Sequence, residues 1–162
     1  MHISTGRVLG GAQENTVLSG EGKARLGNDV HLAFGRIFGP EGYMLERVRR
    51  FKTDEGRGIT THGLPNMVRE IHPIKDHFCL HRDLKRLMRE VKPDVVHTHS
   101  SKAGILGRWA AWKAGVPAVV HTIHGPPFMP VEGGAVSRLK IRLKNGIYTH
   151  AERFAAKRCH SI

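Results

Sequence analysis

The chain has 162 residues, and its 26 lysines and arginines against 14 acidic residues give a net charge of +12 at pH 7. This length fits one compact domain, and the apolar fraction of 40% excludes an extended, disordered chain. Two isolated cysteines exclude a disulfide framework and a thiolate metal site, and no apolar run is long enough to span a bilayer.

Short β-rich runs alternate with helical runs in the first half of the chain, a pattern that predicts βαβ units on a parallel sheet. The predicted elements are, in order, a short strand around Ile3, a helix from the glycine turn to Leu26, a strand at 30–34, a helix at 41–51, a weak strand at 58–61 and a long loop at 62–77. Gly27 is expected to end the first helix.

The second half continues the alternation, so an α/β fold with a Rossmann-like parallel sheet flanked by helices is expected. Leu84, Leu87, Met88 and Val91 are spaced as one helix face. A buried strand at 94–98 and a helix with small side chains at Ala103, Gly107, Ala110 and Ala114 follow, and Gly115 ends that helix. Then come a strand at 118–122 and a proline-rich loop at 125–130. A long helix follows, with one face marked by Val136, Leu139, Leu143, Ile147, His150 and Phe154 and with a basic opposite face.

Gly10 and Gly11 stand between the first strand and the first helix. Glycines at such a turn let the backbone approach a phosphate, and a helix N-terminus favours negative charge. The full GxGxxG pattern is missing. A tight turn without a ligand therefore explains these residues equally well.

The segment 97–102, His-Thr-His-Ser-Ser-Lys, follows a buried strand at its carboxyl end, where open α/β sheets bind ligands. His97 and His99 are expected on one face of this strand. They could form a metal pair, but the spacing fixes no third ligand, so no metal site is predicted. The alternative to a ligand site is that Ser100 caps the next helix and the histidines are hydrogen-bonded structural residues.

His124 follows the next strand, and parallel neighbours are expected to bring it near His99 at the same sheet edge. A histidine there can bind an anion or move a proton near pH 7, whereas a structural histidine on a turn is the alternative. Arg69, Glu70 and His72 lie in the long predicted loop. They either contact a substrate or form part of a solvated surface.

Residues 136–162 carry seven lysines and arginines but one acid, Glu152. This charge favours either a solvated helix surface or contact with anionic lipid headgroups. No helix-turn-helix, RNA-recognition or zinc-finger signature is present, and the aromatic content of 6% offers little for base stacking. Nucleic acid is therefore not expected as a partner.

Four segments together resemble a known family: GGAQENT, KPDVVHTHSSKAGILGRWAA, GVPAVVHTIHGPPF and AERFAAKR. Over about residues 2–162 the chain is similar to the N-terminal domain of family 4 glycosyltransferases, and most to bacterial members that build surface polysaccharide or glycolipid. The resemblance implies one half of a GT-B fold. It also implies sugar transfer from a nucleotide-sugar donor to a glycan or lipid-linked acceptor, with retention of configuration and without a catalytic metal or a cofactor.

The same resemblance implies roles for individual residues. His124 is implied as the catalytic residue, contacting the transferred sugar at the cleft edge. Gly10 and Gly11 are implied to face the donor phosphates and the acceptor. Contact with the acceptor or a phosphate is implied for His99, Ser100, Ser101 and Lys102, and for Arg69, Glu70 and His72.

Compared with the family pattern, the first strand is truncated, the third is weakly hydrophobic and the C-terminal donor-binding domain is absent. Residues 1–162 are therefore expected to form one acceptor-side domain, a fragment that needs a separate donor-binding domain. Without a signal-peptide pattern, a cytoplasmic location is expected, with peripheral contact at the inner face of the membrane. The alternative function is a non-catalytic Rossmann-like module that binds a phosphorylated ligand or an anionic membrane surface.

Overall fold

Five parallel strands form one sheet in the computed structural model, which describes residues 1–5, 11–35, 42–68, 76–124 and 135–162. The strands are β1 (His2–Ser4), β2 (Val30–Phe34), β3 (Ile59–Gly63), β4 (Val95–His99) and β5 (Ala118–Thr122). They lie in the order β3-β2-β1-β4-β5, and every neighbouring pair is parallel. The predicted Rossmann-like sheet is therefore confirmed, with β1 at its centre.

Five α-helices connect these strands within the described residues. They are α1 (Gly11–Arg25), α2 (Gly42–Arg50), α3 (His81–Val91, after a π-helical turn at Asp76–Leu80), α4 (Ser101–Ala114) and α5 (Ala135–Ala156). Gly27 and Gly115 follow α1 and α4 with φ values of 87° and 76°. Glycine adopts this left-handed conformation without strain, so both predicted helix ends are confirmed.

The sheet separates two layers of core. The first layer joins the sheet to α3 and α4 and contains Ile3, Val96, Val119, Leu84, Met88, Ala103 and Ala110. The second layer joins the sheet to α1 and α2 and contains Val17, Ala24, Val30, Val48 and Ile59. Because helices cover both faces, the predicted helix face at Leu84, Leu87 and Met88 is buried as expected.

The small side chains of α4 let this helix lie directly on β4 and β5. A Cβ atom on Gly104 would stand 2.4 Å from Cε1 of His121, and one on Gly107 would stand 2.8 Å from Cγ2 of Thr98. Ala103 and Ala110 are fully buried. The small-residue face predicted for this helix is confirmed. It lets α4 pack closely against β4 and β5, the strands that lead to the candidate site.

The predicted loop at 62–77 was wrong at both ends. β3 extends to Gly63, because residues 59–63 pair with all five residues of β2. His62 is therefore a strand residue whose ring bonds that of His31 at 2.8 Å. At the other end, His77 belongs to the π-helical turn that leads into α3. Residues 69–75 of the loop lie outside the described residues.

The long helix α5 is present as predicted, but its apolar positions do not face the core. Leu139, Leu143 and Ile147 are 61%, 63% and 72% exposed. The contacts of α5 with α4 come near its carboxyl end instead, where Glu152 pairs with Arg108 and Phe154 lies edge-on to Trp109. Leu139, Leu143 and Ile147 stay exposed in the earlier turns of α5. Among the described residues, no helix is long and apolar enough to cross a bilayer.

Candidate functional site

The carboxyl ends of β1 and β4 meet at one edge of the sheet. There the hydroxyl groups of Thr5 and Ser100 hydrogen-bond at 2.9 Å, which ties together the segments that follow the two strands. Ser100 precedes α4, and its carbonyl accepts the first helical bond from the Gly104 N–H at 2.7 Å. The carboxyl edge is therefore held by side chains from separate strands.

Ser100 is the N-cap residue of α4, as predicted, but its side chain does not cap the helix. Its hydroxyl bonds Thr5 instead. Its backbone has φ 65° and ψ 161°, a region that non-glycine residues rarely adopt and that costs about 1–3 kcal/mol. Such strain is common at ligand sites, and here it accompanies a cross-strand bond rather than a cap.

His99 and His124 are in contact, as the sequence predicted. Nδ1 of His99 lies 3.0 Å from Nε2 of His124. His99 is 1% exposed and has a fixed position on β4, whereas His124 is exposed beyond the end of β5. The buried ring of His99 thus holds the accessible ring of His124 at the edge where ligands bind in this class of sheet.

His97 and His99 share one face of β4, as predicted, with ring centroids 4.2 Å apart. The structure adds a third histidine that sequence reasoning missed, His2 of β1, which pairs in register with His97. A Rossmann-like strand order puts the first strand beside the fourth. That rule, applied to His2 and His97, is the signal that would have found it.

The nitrogens of His2, His97 and His99 offer one ligand atom each within 4.8 Å of one another, a spacing that a metal ion requires. Two of the three rings already bond each other, since Nδ1 of His2 lies 3.1 Å from Nε2 of His99. His97 is also engaged, because its Nε2 lies 2.7 Å from the Thr122 hydroxyl. Hydrogen bonds therefore already occupy several of the ring nitrogens that could bind a metal ion.

Burial lowers the pKa of each clustered histidine. The pKa of His2 falls to about 2, with the Lys23 ammonium adding to the effect of burial. Burial and the neighbouring His97 lower the pKa of His99 to about 3, and burial and Lys23 lower that of His97 to about 4. All three rings are neutral near pH 7, so each carries one N–H and one acceptor nitrogen.

Ser101 and Lys102 form the first turn of α4, whose N-terminus lies at the carboxyl edge. The unpaired N–H groups and the dipole of a helix N-terminus favour an anion such as a phosphate. Gly11 is the first residue of α1. Gly10, Arg69, Glu70, His72 and the loop at 125–130 lie outside the described residues.

Comparisons with known proteins identify similarity to glycosyltransferases. A family model described as "Glycosyl transferase 4-like domain" matches residues 10–160. The chain is 47% identical over 94 residues to a UDP-Gal:alpha-D-GlcNAc-diphosphoundecaprenol alpha-1,3-galactosyltransferase of Escherichia coli. It also superimposes on the crystal structure of Acinetobacter baumannii MurG with a TM-score of 0.53 and 18% identity, a likeness that shows a GT-B-type fold.

The chain spans only part of these relatives. The match to the galactosyltransferase covers 58% of this chain and 22% of the relative. The match to MurG covers 86% of this chain and 37% of MurG. The likeness therefore concerns less than half of each of these longer proteins.

Proposed function

The chain belongs to the glycosyl transferase 4-like family, and from that premise we propose that it is the acceptor-side half of a sugar transferase. The reaction is transfer from a nucleotide-sugar donor to a glycan or lipid-linked acceptor. It retains the anomeric configuration and uses neither a catalytic metal nor a cofactor. The observation that carries the proposal is the exposed His124, supported by buried His99 at the carboxyl edge of a Rossmann-like sheet.

The candidate residues have separate tasks in the proposed reaction. His124 contacts the transferred sugar, because it is the exposed histidine at the place where such sheets bind ligands. The N-terminus of α4, with Ser101 and Lys102, binds a phosphate of the donor or acceptor. On the family resemblance, Gly10 and Gly11 contact the donor phosphates. Arg69, Glu70 and His72 contact the acceptor.

The transfer itself is the test of this function. The chain is fused to the donor-binding domain of the Escherichia coli relative and supplied with labelled UDP-galactose and N-acetylglucosamine-diphosphoundecaprenol, then with other nucleotide-sugars in turn. We expect labelled lipid product with the fusion and none with the donor-binding domain alone. A folded fusion without product from any donor would contradict the proposal. Saturable binding of a phosphorylated ligand by the same chain would then favour the non-catalytic module.

The exposed face of α5 fits a membrane surface, and we place the protein in the cytoplasm with peripheral contact at the inner leaflet. Leu139, Leu143 and Ile147 form an exposed apolar row at helical spacing. By the same spacing, lysines and arginines flank the row on both sides, at Arg138, Arg142, Lys140 and Lys144. An apolar face between cations is the pattern of helices that lie in an anionic bilayer interface.

Vesicle binding tests this contact. The chain is expected to bind vesicles of phosphatidylglycerol and phosphatidylcholine, and to bind neutral phosphatidylcholine much more weakly. Leu143→Glu should weaken binding about 10-fold or more, because one buried leucine contributes about 1.5–3 kcal/mol. The matched control is Leu26→Glu, a leucine that is 82% exposed and lies outside the row. Equal effects of the two substitutions would contradict contact of this row with lipid.

A further inference from the structure

A continuous line of hydrogen bonds leads from α1 to the exposed edge of the sheet. Nζ of Lys23 lies 3.1 Å from Nε2 of His2, and Nδ1 of His2 lies 3.1 Å from Nε2 of His99. Nδ1 of His99 then lies 3.0 Å from Nε2 of His124. We call these four residues the histidine chain; each of the two inner rings uses both of its nitrogens in it.

The rings of the histidine chain meet edge to edge. The His2 and His99 planes differ by 13° with centroids 5.4 Å apart, and those of His99 and His124 differ by 24° with centroids 5.3 Å apart. In both pairs the centroids are farther apart than the bonded nitrogens by roughly two ring radii. The nitrogens therefore point at each other within nearly shared planes, which is good geometry for N–H···N bonds.

The lysine fixes the direction of these bonds. An ammonium group has no acceptor, so Lys23 donates to Nε2 of His2. The ring of His2 is neutral near pH 7, as argued above, and its one N–H is then on Nδ1, from which it donates to Nε2 of His99. The same reasoning places the N–H of neutral His99 on Nδ1, from which it donates to Nε2 of His124.

We propose that Lys23, His2 and His99 are positioning residues that hold His124 as the Nδ1–H tautomer at the carboxyl edge. This inference rests on the function proposed above. In this state the lone pair of Nε2 is occupied by the His99 N–H, and Nδ1 carries a proton. Neutral His124 then has no lone pair left for a substrate. It acts as a hydrogen-bond donor to a sugar hydroxyl or phosphate oxygen and does not act as a general base.

Burial makes this arrangement hard to reverse. His2 and His99 are 2% and 1% exposed, so water does not compete for their nitrogens. Turning one ring over leaves a buried donor facing a donor, and an unsatisfied buried group costs about 1–3 kcal/mol. The inner end lies beside a cavity of about 330 Å³ lined in part by His2, Lys23 and His97. The histidine chain thus runs along one face of the sheet, from that cavity to the carboxyl edge.

Nuclear magnetic resonance of the chain labelled with ¹⁵N-histidine reads these tautomers directly. At pH 7.5, long-range proton–nitrogen correlations are expected to show His2, His99 and His124 protonated at Nδ1 and unprotonated at Nε2. An unconstrained neutral imidazole favours the opposite tautomer, so the expected result is distinctive. A proton on Nε2 of His124, or a chain purified with stoichiometric zinc on its histidines, would overturn the proposal.

Two variants test the origin of the tautomer. Lys23→Met keeps the side-chain stem and removes the donor, and His99→Phe keeps a ring and removes both nitrogens. Each should shift the His124 nitrogen signals toward the Nε2–H form, whereas Lys113→Met, a lysine that stacks on Trp112, should leave them in place. Unchanged His124 signals in Lys23→Met would overturn the proposal. If Lys23→Met does not fold, the His124 signals of His99→Phe provide the same test.

This readout is independent of sugar transfer. If the tautomers are as expected but His124→Ala does not slow transfer, the proposed contact of His124 with the sugar is wrong, whereas the hydrogen-bonded order of the histidine chain is confirmed. If His124→Ala abolishes transfer but wild-type His124 carries its proton on Nε2, the proposed function is supported and the proposed tautomer of His124 is wrong.

Discussion

Lowering the pH from 7 to 5 is expected to destabilise the folded chain by about 4 kcal/mol. His2 and His99 are almost fully buried, and burial lowers their pKa values to about 2 and about 3. In the unfolded chain the same residues titrate near pH 6.5. Each therefore contributes about 2 kcal/mol to the loss by pH 5, at about 1.4 kcal/mol for one pKa unit.

The direction of this pH effect on stability follows from proton uptake by the unfolded chain. Between pH 6.5 and the folded pKa values, the unfolded chain binds protons that the folded chain does not, so acid favours unfolding. The stabilisation is complete above pH 6.5 and is lost as the pH falls. His97, with a pKa lowered to about 4, and His62 and His121, whose pKa values burial also lowers, act in the same direction.

Urea denaturation at pH 7.5, 6.0 and 5.0, followed by circular dichroism, measures this effect. The free energy of unfolding should fall steeply below pH 6.5. The variant His99→Gln should show a shallower fall, because one titrating group is removed. His150→Gln removes an exposed histidine of α5 and should keep the steep fall. An unfolding free energy that stays constant from pH 7.5 to 5.0 would mean that these histidines are not buried as described.

Replacing Glu152 with alanine is expected to destabilise the chain by about 3 kcal/mol, because it leaves a buried charge without its partner. The side chain of Arg108 is fully buried in α4, and its guanidinium pairs with the Glu152 carboxylate of α5. Nε of Arg108 also donates to the Gly104 carbonyl at 2.9 Å. Removing the carboxylate leaves that guanidinium in the interior with no opposite charge from α5.

The control for Glu152→Ala is Glu46→Ala, which breaks the exposed ion pair with Arg50 in α2. Exposed pairs contribute at most about 1 kcal/mol, so this variant should unfold at nearly the wild-type urea concentration. The double variant Glu152→Leu with Arg108→Met should recover much of the lost stability, since an apolar pair can replace a buried ion pair. Equal midpoints for Glu152→Ala and Glu46→Ala would contradict the burial of Arg108.

Much of the sheet could be predicted from the sequence because its signals are local. β2 has the predicted bounds, and Gly27 and Gly115 end α1 and α4 as expected. β3 was harder, since Thr60, Thr61 and His62 lack an apolar pattern. Their strand conformation depends on backbone pairing with β2, which no local window of sequence contains.

The candidate site was predictable where two consecutive strands form it. The contact between His99 and His124 followed from two neighbouring strands, and it was confirmed. His2 and Lys23 were missed, because His2 reaches His99 across 97 residues of sequence and the strand order brings the two together. Lys23 joins them through His2, which lies 21 residues before it in the sequence. The exposure of the apolar row of α5 could not be predicted either, since spacing identifies an apolar face but not what covers it.

The claim that the carboxyl edge holds the reacting sugar is tested most directly by transfer rates of the fusion enzyme with His124→Ala and with Leu26→Ala. We expect His124→Ala to lower kcat about 100-fold or more, the usual effect of losing one hydrogen bond to a transition state. Leu26→Ala, at an exposed position after α1, should leave kcat unchanged. Equal rates for the two variants would contradict the assignment of the site to this edge.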